Sequence, residues 1–397
     1  MPVLRLKSLF RLSLGLITAS TSALLAGMPA LAQQVIPDGG TATQMGTPTA
    51  VGRPTVEIAT PNASGISHNT YTDFSVGAAG LNLDNSTANP NLKGSPFAST
   101  IVNEVTSSRR STIGGPIEVL GSSAHIIIAN PNGITVDGGS FINTGGVVLS
   151  GGTVSYAPSL TSPGMVNAIV SSGSDIEVTG KGLAGVMPTL QLLASKIRID
   201  GPVTNGTFTT DQTTGDKKFN ASGDIGINAG DADLTLDSKV SPLGLATGWA
   251  TKTRSGNGNS NEILVDVTPQ GSLSASSIQI AVNARGAGVS YAGTGNASLG
   301  NFTITNDGKV TIIGAPPDAR IPADTKTKAA QIKAETVLKI KARSIDIRNG
   351  PTAQATLASQ SGSVTLLAND GDINLEGAIS GSQRQAPDAL IRPQATR

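Results

Sequence analysis

Side chains able to do chemistry are few and scattered in this chain. His68 and His125 are its only histidines, far apart in sequence, and cysteine is absent, so no zinc-ligand spacing exists. Neither a Gly-x-Ser-x-Gly nucleophile turn nor a Walker-type phosphate loop is present. Asp231-Ala-Asp233 and Asn369-Asp-Gly-Asp372 have calcium-binding residue types. They lack the repeating Gly-Gly-x-Gly-x-Asp motif of calcium rolls and read as corner residues. His68 reads as structural, and His125, which leads into an apolar run, as a satisfied edge residue. The chain is therefore read as a non-enzyme with no catalytic residue, cofactor or metal. Two turn tetrapeptides carry more information: Asn89-Pro90-Asn91-Leu92, and Asn130-Pro131-Asn132-Gly133 with Ile134 after it. Proline presets φ at the first corner, and Asn and Gly accept the positive φ of a reversal. Taken alone, such a tetrapeptide is a surface turn.

The elements that hold these turns follow from pattern and composition. Ile126, Ile127 and Ile128 form a β-branched run suited to a strand buried on both sides. After the turn, Ile134 and Val136 restart the alternation. Further apolar pairs at i and i+2 recur along the chain, among them Ile176/Val178, Ile197/Ile199, Ile225/Ile227, Leu234/Leu236, Ile263/Val265, Ile278/Ile280, Val310/Ile312, Ile345/Ile347 and Val364/Leu366. Both members of each pair point to one side of a strand. The gaps predict coils of roughly 20 residues with two or three short strands, at most about 18 of them, in an all-β solenoid. Such a rod is no longer than ~85 Å at ~4.8 Å per coil. The 397 residues include 48 Gly, 3% aromatic and 14% charged residues, which suits small aliphatic layers and tight turns. A barrel or sandwich expects longer strands and more aromatics. One helix is allowed, over residues 324–335. The net charge of +1 implies no bulk attraction to nucleic acid or anionic lipid.

Residues 1–32 read as a signal peptide. Arg5, Lys7 and Arg11 precede an apolar run, and Ala30-Leu-Ala32 before Gln33 has the small-x-small cleavage pattern. The run is too short and polar for a stable membrane span. Residues 33–53 read as a flexible leader or a loose cap. A solenoid needs a covered end, and residues 54–110 are the candidate cap. Arg109 and Arg110 read as a solvated loop pair, or alternatively as a partner contact. Residues 205–220 read as a hairpin leaving the rod. Residues 243–261 hold the single tryptophan, Trp249, read as packed over the flank or as an exposed carbohydrate or partner contact. Residues 316–380 continue the coils, and residues 381–397 read as a disordered tail.

The two turns, taken with their context, resemble the two-partner secretion (TPS) domain of filamentous haemagglutinins, haemolysins and contact-dependent inhibition toxins. The resemblance rests on Ile-Ala-Asn-Pro-Asn-Gly-Ile ending at Ile134, on Asn89-Pro90-Asn91-Leu92, and on residues 62–69, 101–105, Tyr71, Asp73 and Phe74. It is dense over residues 54–152 and thinner to 315. Some members carry a Cys pair just after the second turn; residues 136–139 have none. The resemblance implies a right-handed parallel β-helix with an N-terminal β cap and extra-helical hairpins over residues 54–315. It also implies export through the periplasm and outer membrane to the cell surface or medium, by a cognate TpsB-type transporter whose periplasmic modules pair with an extended segment. An adhesin that meets a host-cell surface or glycan is the function implied. Two alternatives stay open: a β-helical polysaccharide lyase or hydrolase, and a truncated toxin or haemolysin.

Overall fold

The computed structural model describes residues 34–49, 52–255, 258–314, 330–350, 353–381 and 390–393. The signal segment with its Ala30, Ala32 and Gln33 cleavage pattern lies outside them. The alternating pairs do what their spacing demands. Ala124–Ala129 forms a strand on a first face, Ile134–Val136 on a second and Gly139–Ile142 on a third, and Thr144–Ser150 returns to the first. Val147 and Leu149 stack in parallel register on Ile126 and Ile128, and Ile176 stacks on Ile134. Repeated, this winding gives three sheets of 12, 9 and 13 strands around one continuous aliphatic core. Strand by strand, each coil pairs its backbone N–H and C=O groups with the coils before and after it, which satisfies the buried main chain along the ladders. The fold is a parallel β-helix.

On the first face, the 11 strands from Ile66–Ser75 onward run parallel to one another, and only Gln34–Pro37 at the first edge is antiparallel. At ~4.8 Å per rung that ladder spans roughly 48 Å, well under the limit set by uniform short coils. Excursions account for the difference. Leu190 pairs with Ile225 and Ile225 with Ile278, so these turns of the helix are much longer than twenty residues.

Several expectations need correction. Gln34–Pro37 and Gln44–Met45, within the supposed flexible leader, are strands. They pair antiparallel with Ile66–Ser75 and Thr55–Glu57 and close the first edges of the first and third sheets. The cap is therefore residues 34–45, and the parallel coils begin at Thr55, inside the segment assigned to the cap. The leader's Gly, Thr and Pro content hid two strands too short to show a period. The helix allowed over residues 324–335 is also corrected. Gln331–Ala334 is a strand paired with Thr294–Ala297, and Ala330 begins the described part. Alternation of buried Ile332 and Ala334 with exposed Gln331 and Lys333 outweighs local helix propensity. Residues 381–397 are described only at Gly381 and in Leu390–Pro393, which pairs with Val364–Ala368.

The hairpin of residues 205–220 is present as Pro202–Thr210 with Lys217–Ala221. A second excursion is larger than expected. Val154–Pro158, Val166–Ser171, Ala232–Leu236 and Ala250–Ser255 form an antiparallel sheet of their own. Leu234 and Leu236, read as a coil pair, belong to it. This flank sheet covers the outer side of the first face, where Val102, Ile127, Val148 and Leu193 pack against Val170, Leu234 and Trp249. In Ile263–Val267 the inward pair is Val265 and Val267, and Ile263 is exposed beside an irregularity in register.

Candidate functional site

The two Asn-Pro-Asn turns are built alike. Gly133 N–H donates to the Asn130 carbonyl, closing the reversal over residues 130–133. Asn130 is fully buried. Its Oδ1 accepts from the Asn132 backbone N–H at 2.8 Å and from Asn132 Nδ2 at 3.0 Å. Its Nδ2 donates to the Arg109 carbonyl at 2.8 Å and to Ser111 Oγ at 2.9 Å. Asn132 Nδ2 reaches the Ser107 carbonyl at 2.7 Å. Pro131 faces solvent, and Ile134 is fully buried as the first residue of the next strand. Gly133 has φ +91°, and a Cβ there would lie 2.3 Å from Arg110 Nη1. Only glycine fits that place.

In the first turn, Pro90–Leu92 is a single 3-10 turn capped by Asn89, whose side chain accepts from Asn91 N–H at 2.9 Å. Buried Asn89 donates through Nδ2 to the Ile58 carbonyl at 3.0 Å and the Asp84 carbonyl at 2.8 Å. Asn91 Nδ2 donates to the Ala42 carbonyl at 2.9 Å, tying the cap segment to the first coil, and to the Ile58 carbonyl at 3.2 Å. Pro90 is exposed and Leu92 buried. In both motifs the first Asn is a buried clamp, the second reaches an earlier segment, and the proline faces water.

Comparison with known proteins gives this geometry its context. The TPS secretion domain profile matches residues 33–312. The chain belongs to the TPS secretion domain family. The "16S rRNA endonuclease CdiA" of Enterobacter cloacae is 30% identical over 404 residues, covering 95% of this chain and 11% of that protein. "Toxin CdiA" of Escherichia coli is 31% identical over 76% of this chain and 9% of its own length. "Hemolysin" of Proteus mirabilis is 28% identical over 95% of this chain and 23% of that protein. The chain thus spans about a tenth of the CdiA relatives, and the nuclease names belong to those longer proteins. Among solved structures, the filamentous hemagglutinin secretion domain superposes with a TM-score of 0.57 at 21% identity, covering 88% of this chain and all of that one. That likeness bears on the fold alone.

Within the TPS domain, Arg110 is not the solvated loop residue expected. Its guanidinium forms a fork on Asp175, with Nη2 to Oδ2 at 2.7 Å and Nη1 to Oδ1 at 2.9 Å. It also donates to Thr135 Oγ1 at 2.8 Å and to the Ile134 carbonyl at 3.1 Å. The fork holds the Asp175 carboxyl below its ordinary pKa. Arg109 is the more exposed of the two and pairs with Asp73 at 3.2 Å. The TPS domain has further buried amides inside its strands. Asn69 Oδ1 accepts from Thr43 Oγ1 of the cap, and Asn103 Oδ1 accepts from the Tyr71 hydroxyl. Asn69, Tyr71 and Asn103 lie among the positions that carry the family resemblance, but the sequence assigned their side chains no contact.

Both histidines hold the flank sheet to the coils. His68 Nε2 meets Glu104 at 2.9 Å, and the other Glu104 oxygen accepts from Val154 N–H in the flank sheet at 3.0 Å. His125 is fully buried under Trp249, with ring centroids 4.3 Å apart and planes 13° from parallel. Its Nδ1 accepts from Gly146 N–H at 2.7 Å, so Nε2 carries the proton and donates to the Val240 carbonyl at 3.0 Å. Burial pushes its pKa down to about 4. A neutral ring with both nitrogens engaged is a brace, and Trp249 is packed over the flank. No helix among the described residues is long and apolar enough to cross a membrane, and those residues contain no metal-type cluster of His, Asp or Glu.

Proposed function

We propose that this chain is a filamentous-haemagglutinin-like, adhesin-type exoprotein of a two-partner secretion system. Residues 1–32 act as a signal peptide cleaved after Ala32. The cognate outer-membrane TpsB-type transporter recognises an extended N-terminal segment of the TPS domain by strand addition through its periplasmic modules. The domain then nucleates the β-helix outside the cell, and later coils add to it. Asn89, Pro90, Asn91, Leu92, Asn130, Pro131, Asn132, Gly133 and Ile134 serve this process by fixing the turns of the first coils.

One observation supports the reading above the rest. Each long-range side-chain hydrogen bond donated by the Asn residues of the two motifs runs to a segment earlier in the chain: Asn89 to Ile58 and Asp84, Asn91 to Ala42 and Ile58, Asn130 to Arg109 and Ser111, Asn132 to Ser107. A chain that leaves a pore N-terminus first has all of these partners outside before each Asn emerges. Every turn closes on structure already formed, as nearest-neighbour propagation requires. The test is co-expression with the cognate transporter, comparing Asn132→Ala with Asn220→Ala, whose amide lies in the hairpin outside the coils. Asn132→Ala should leave periplasmic precursor and little extracellular protein, while Asn220→Ala is exported normally. Normal export of Asn132→Ala would remove the motif from the secretion pathway.

A further inference from the structure

The outer side of the first face changes character part-way along the ladder. One outward column runs rung by rung through Val102, Ile127, Val148, Gln191, Gly226, Gln279, Thr303, Lys339 and Thr365. Its first three members are apolar and lie buried under the flank sheet. From Gln191 on, it is polar. The neighbouring column, Asn228, Ala281, Thr305, Lys341 and Leu367, is mostly polar too.

Two hollows, each of about 470 Å³, lie on this stretch beside the edge of the flank sheet, which lends Ala250 to the first and Lys252 to the second. Gln191, Gly226, Gln279 and Thr303 floor the first, and Leu245, 85% exposed, forms an apolar wall. Gln279 and Thr303 make no side-chain hydrogen bond among the described residues. Lys252, Arg285 and Lys341 bring positive charge to the second, against the single carboxylate of Asp307, 3.8 Å from Arg285. Asn306 also lines it, with Oδ1 buried and without a hydrogen-bond partner. Lys339 and Lys341 pair with no acid among the described residues and point outward from one strand.

We infer that this face, between Gln191 and Thr365, binds an extended polysaccharide carrying carboxylate or sulfate groups. Amides and hydroxyls repeating at ~4.8 Å along the ladder suit a chain of sugar hydroxyls, Leu245 suits the apolar side of a sugar ring, and the cations suit its acidic groups. The surface is a sheet face rather than an edge, so a peptide cannot join it as an added strand. Among the described residues no exposed aromatic stands on it, so nucleic-acid bases have nothing to stack on. The inference rests on the adhesin reading proposed above, but its test needs purified folded chain and no transporter, which keeps a failure of binding separate from a failure of export.

Alginate, dextran sulfate and neutral dextran are the probes, with a single-stranded DNA oligomer as a polyanion without sugar hydroxyl rows. The chain should bind at least one acidic polysaccharide and ignore dextran. Lys341→Glu and Gln279→Ala should each weaken binding by about tenfold, while Lys333→Glu, the same charge change on an exposed position of the third face, leaves it unchanged. Far-UV circular dichroism confirms that the variants fold. Absence of binding to both acidic polysaccharides overturns the proposal. So does equal weakening by Lys333→Glu, an inert Gln279→Ala, or equal affinity for the DNA oligomer.

Discussion

Replacing Asn130 by Ala separates a turn that braces the fold from a turn read directly by the transporter. The side chain is fully buried and makes four hydrogen bonds, two donated and two accepted. A net loss of roughly 1 kcal/mol per neutral bond is usual, and a buried group left without a partner costs about 1–3 kcal/mol. Ser111 Oγ is fully buried and loses Asn130 as a donor, whereas Asn132 is half-buried and regains water. The total is about 3–5 kcal/mol, a large part of the 5–15 kcal/mol by which a domain is ordinarily stable. Urea unfolding of the purified TPS domain, followed by circular dichroism, should show that loss, and export should fall with it. Pro131 is the control. It is exposed and its ring takes part in none of the bonds of the brace, so Pro131→Ala should cost under ~1 kcal/mol and be exported. A transporter epitope would behave otherwise: Asn130→Ala and Pro131→Ala would both stop export while both unfolded at the wild-type midpoint. That result refutes the bracing argument.

His125 makes the attachment of the flank sheet sensitive to acid. Its folded pKa of about 4 lies below the ordinary 6.5, so protonation favours the unfolded chain. The stability it contributes is complete above ~pH 6.5 and is lost as pH falls through ~4, about 3 kcal/mol in all. Urea midpoints followed by Trp249 fluorescence should decline over that window and decline less in His125→Asn; an unchanged pH dependence in the variant assigns the effect elsewhere. Gly133→Ala forces a Cβ to 2.3 Å from Arg110 Nη1 and 2.8 Å from the Asp175 carbonyl, at a φ that alanine rarely adopts. It should cost roughly 2 kcal/mol or more in the same unfolding assay, and wild-type stability would mean that the turn relaxes freely.

What the sequence made legible was whatever repeats. Pairs such as Ile197/Ile199 and Ile278/Ile280 face inward because period 2 leaves a strand no other choice once one side is a core. The Asn-Pro-Asn turns were legible because their residue types are confined to few backbone conformations. The flank sheet was not: Val154–Pro158 and Val166–Ser171 alternate like coil strands, and only the outward Val102, Ile127 and Val148 reveal that something must cover them. Those three sit in runs apolar on both sides, which sequence reasoning explains equally well by sheet stacking. The cap escaped for a different reason. Gln34–Pro37 and Gln44–Met45 are held by edge pairing and by Thr43 on Asn69, contacts that leave no period in so short a stretch. Arg110 escaped because its partner, Asp175, lies 65 positions away.

The order of contacts along the chain divides the braces into two groups with different work to do. Asn89, Asn91, Asn130 and Asn132 reach back to segments that precede them, so their bonds close as the chain lengthens. Others wait for chain still to come. Glu104 meets Val154, Arg110 meets Asp175, and His125 meets Val240, 115 positions later, under Trp249. The first group needs no later residue and sets the register of each new coil on the last one, where a slip of a single residue would turn the aliphatic core outward. The second group lays the flank sheet over the apolar outer sides of Val102, Ile127 and Val148, which stay open to water until it arrives. A chain folding from its N-terminus therefore carries an exposed apolar strip for the interval between residues 148 and 249. The short antiparallel strands Gln34–Pro37 and Gln44–Met45 stand at the first edges of the first and third sheets, an arrangement that disfavours pairing with a further chain there. On the N-terminus-first export proposed above, growth then proceeds at the end where the next residues of the same chain appear.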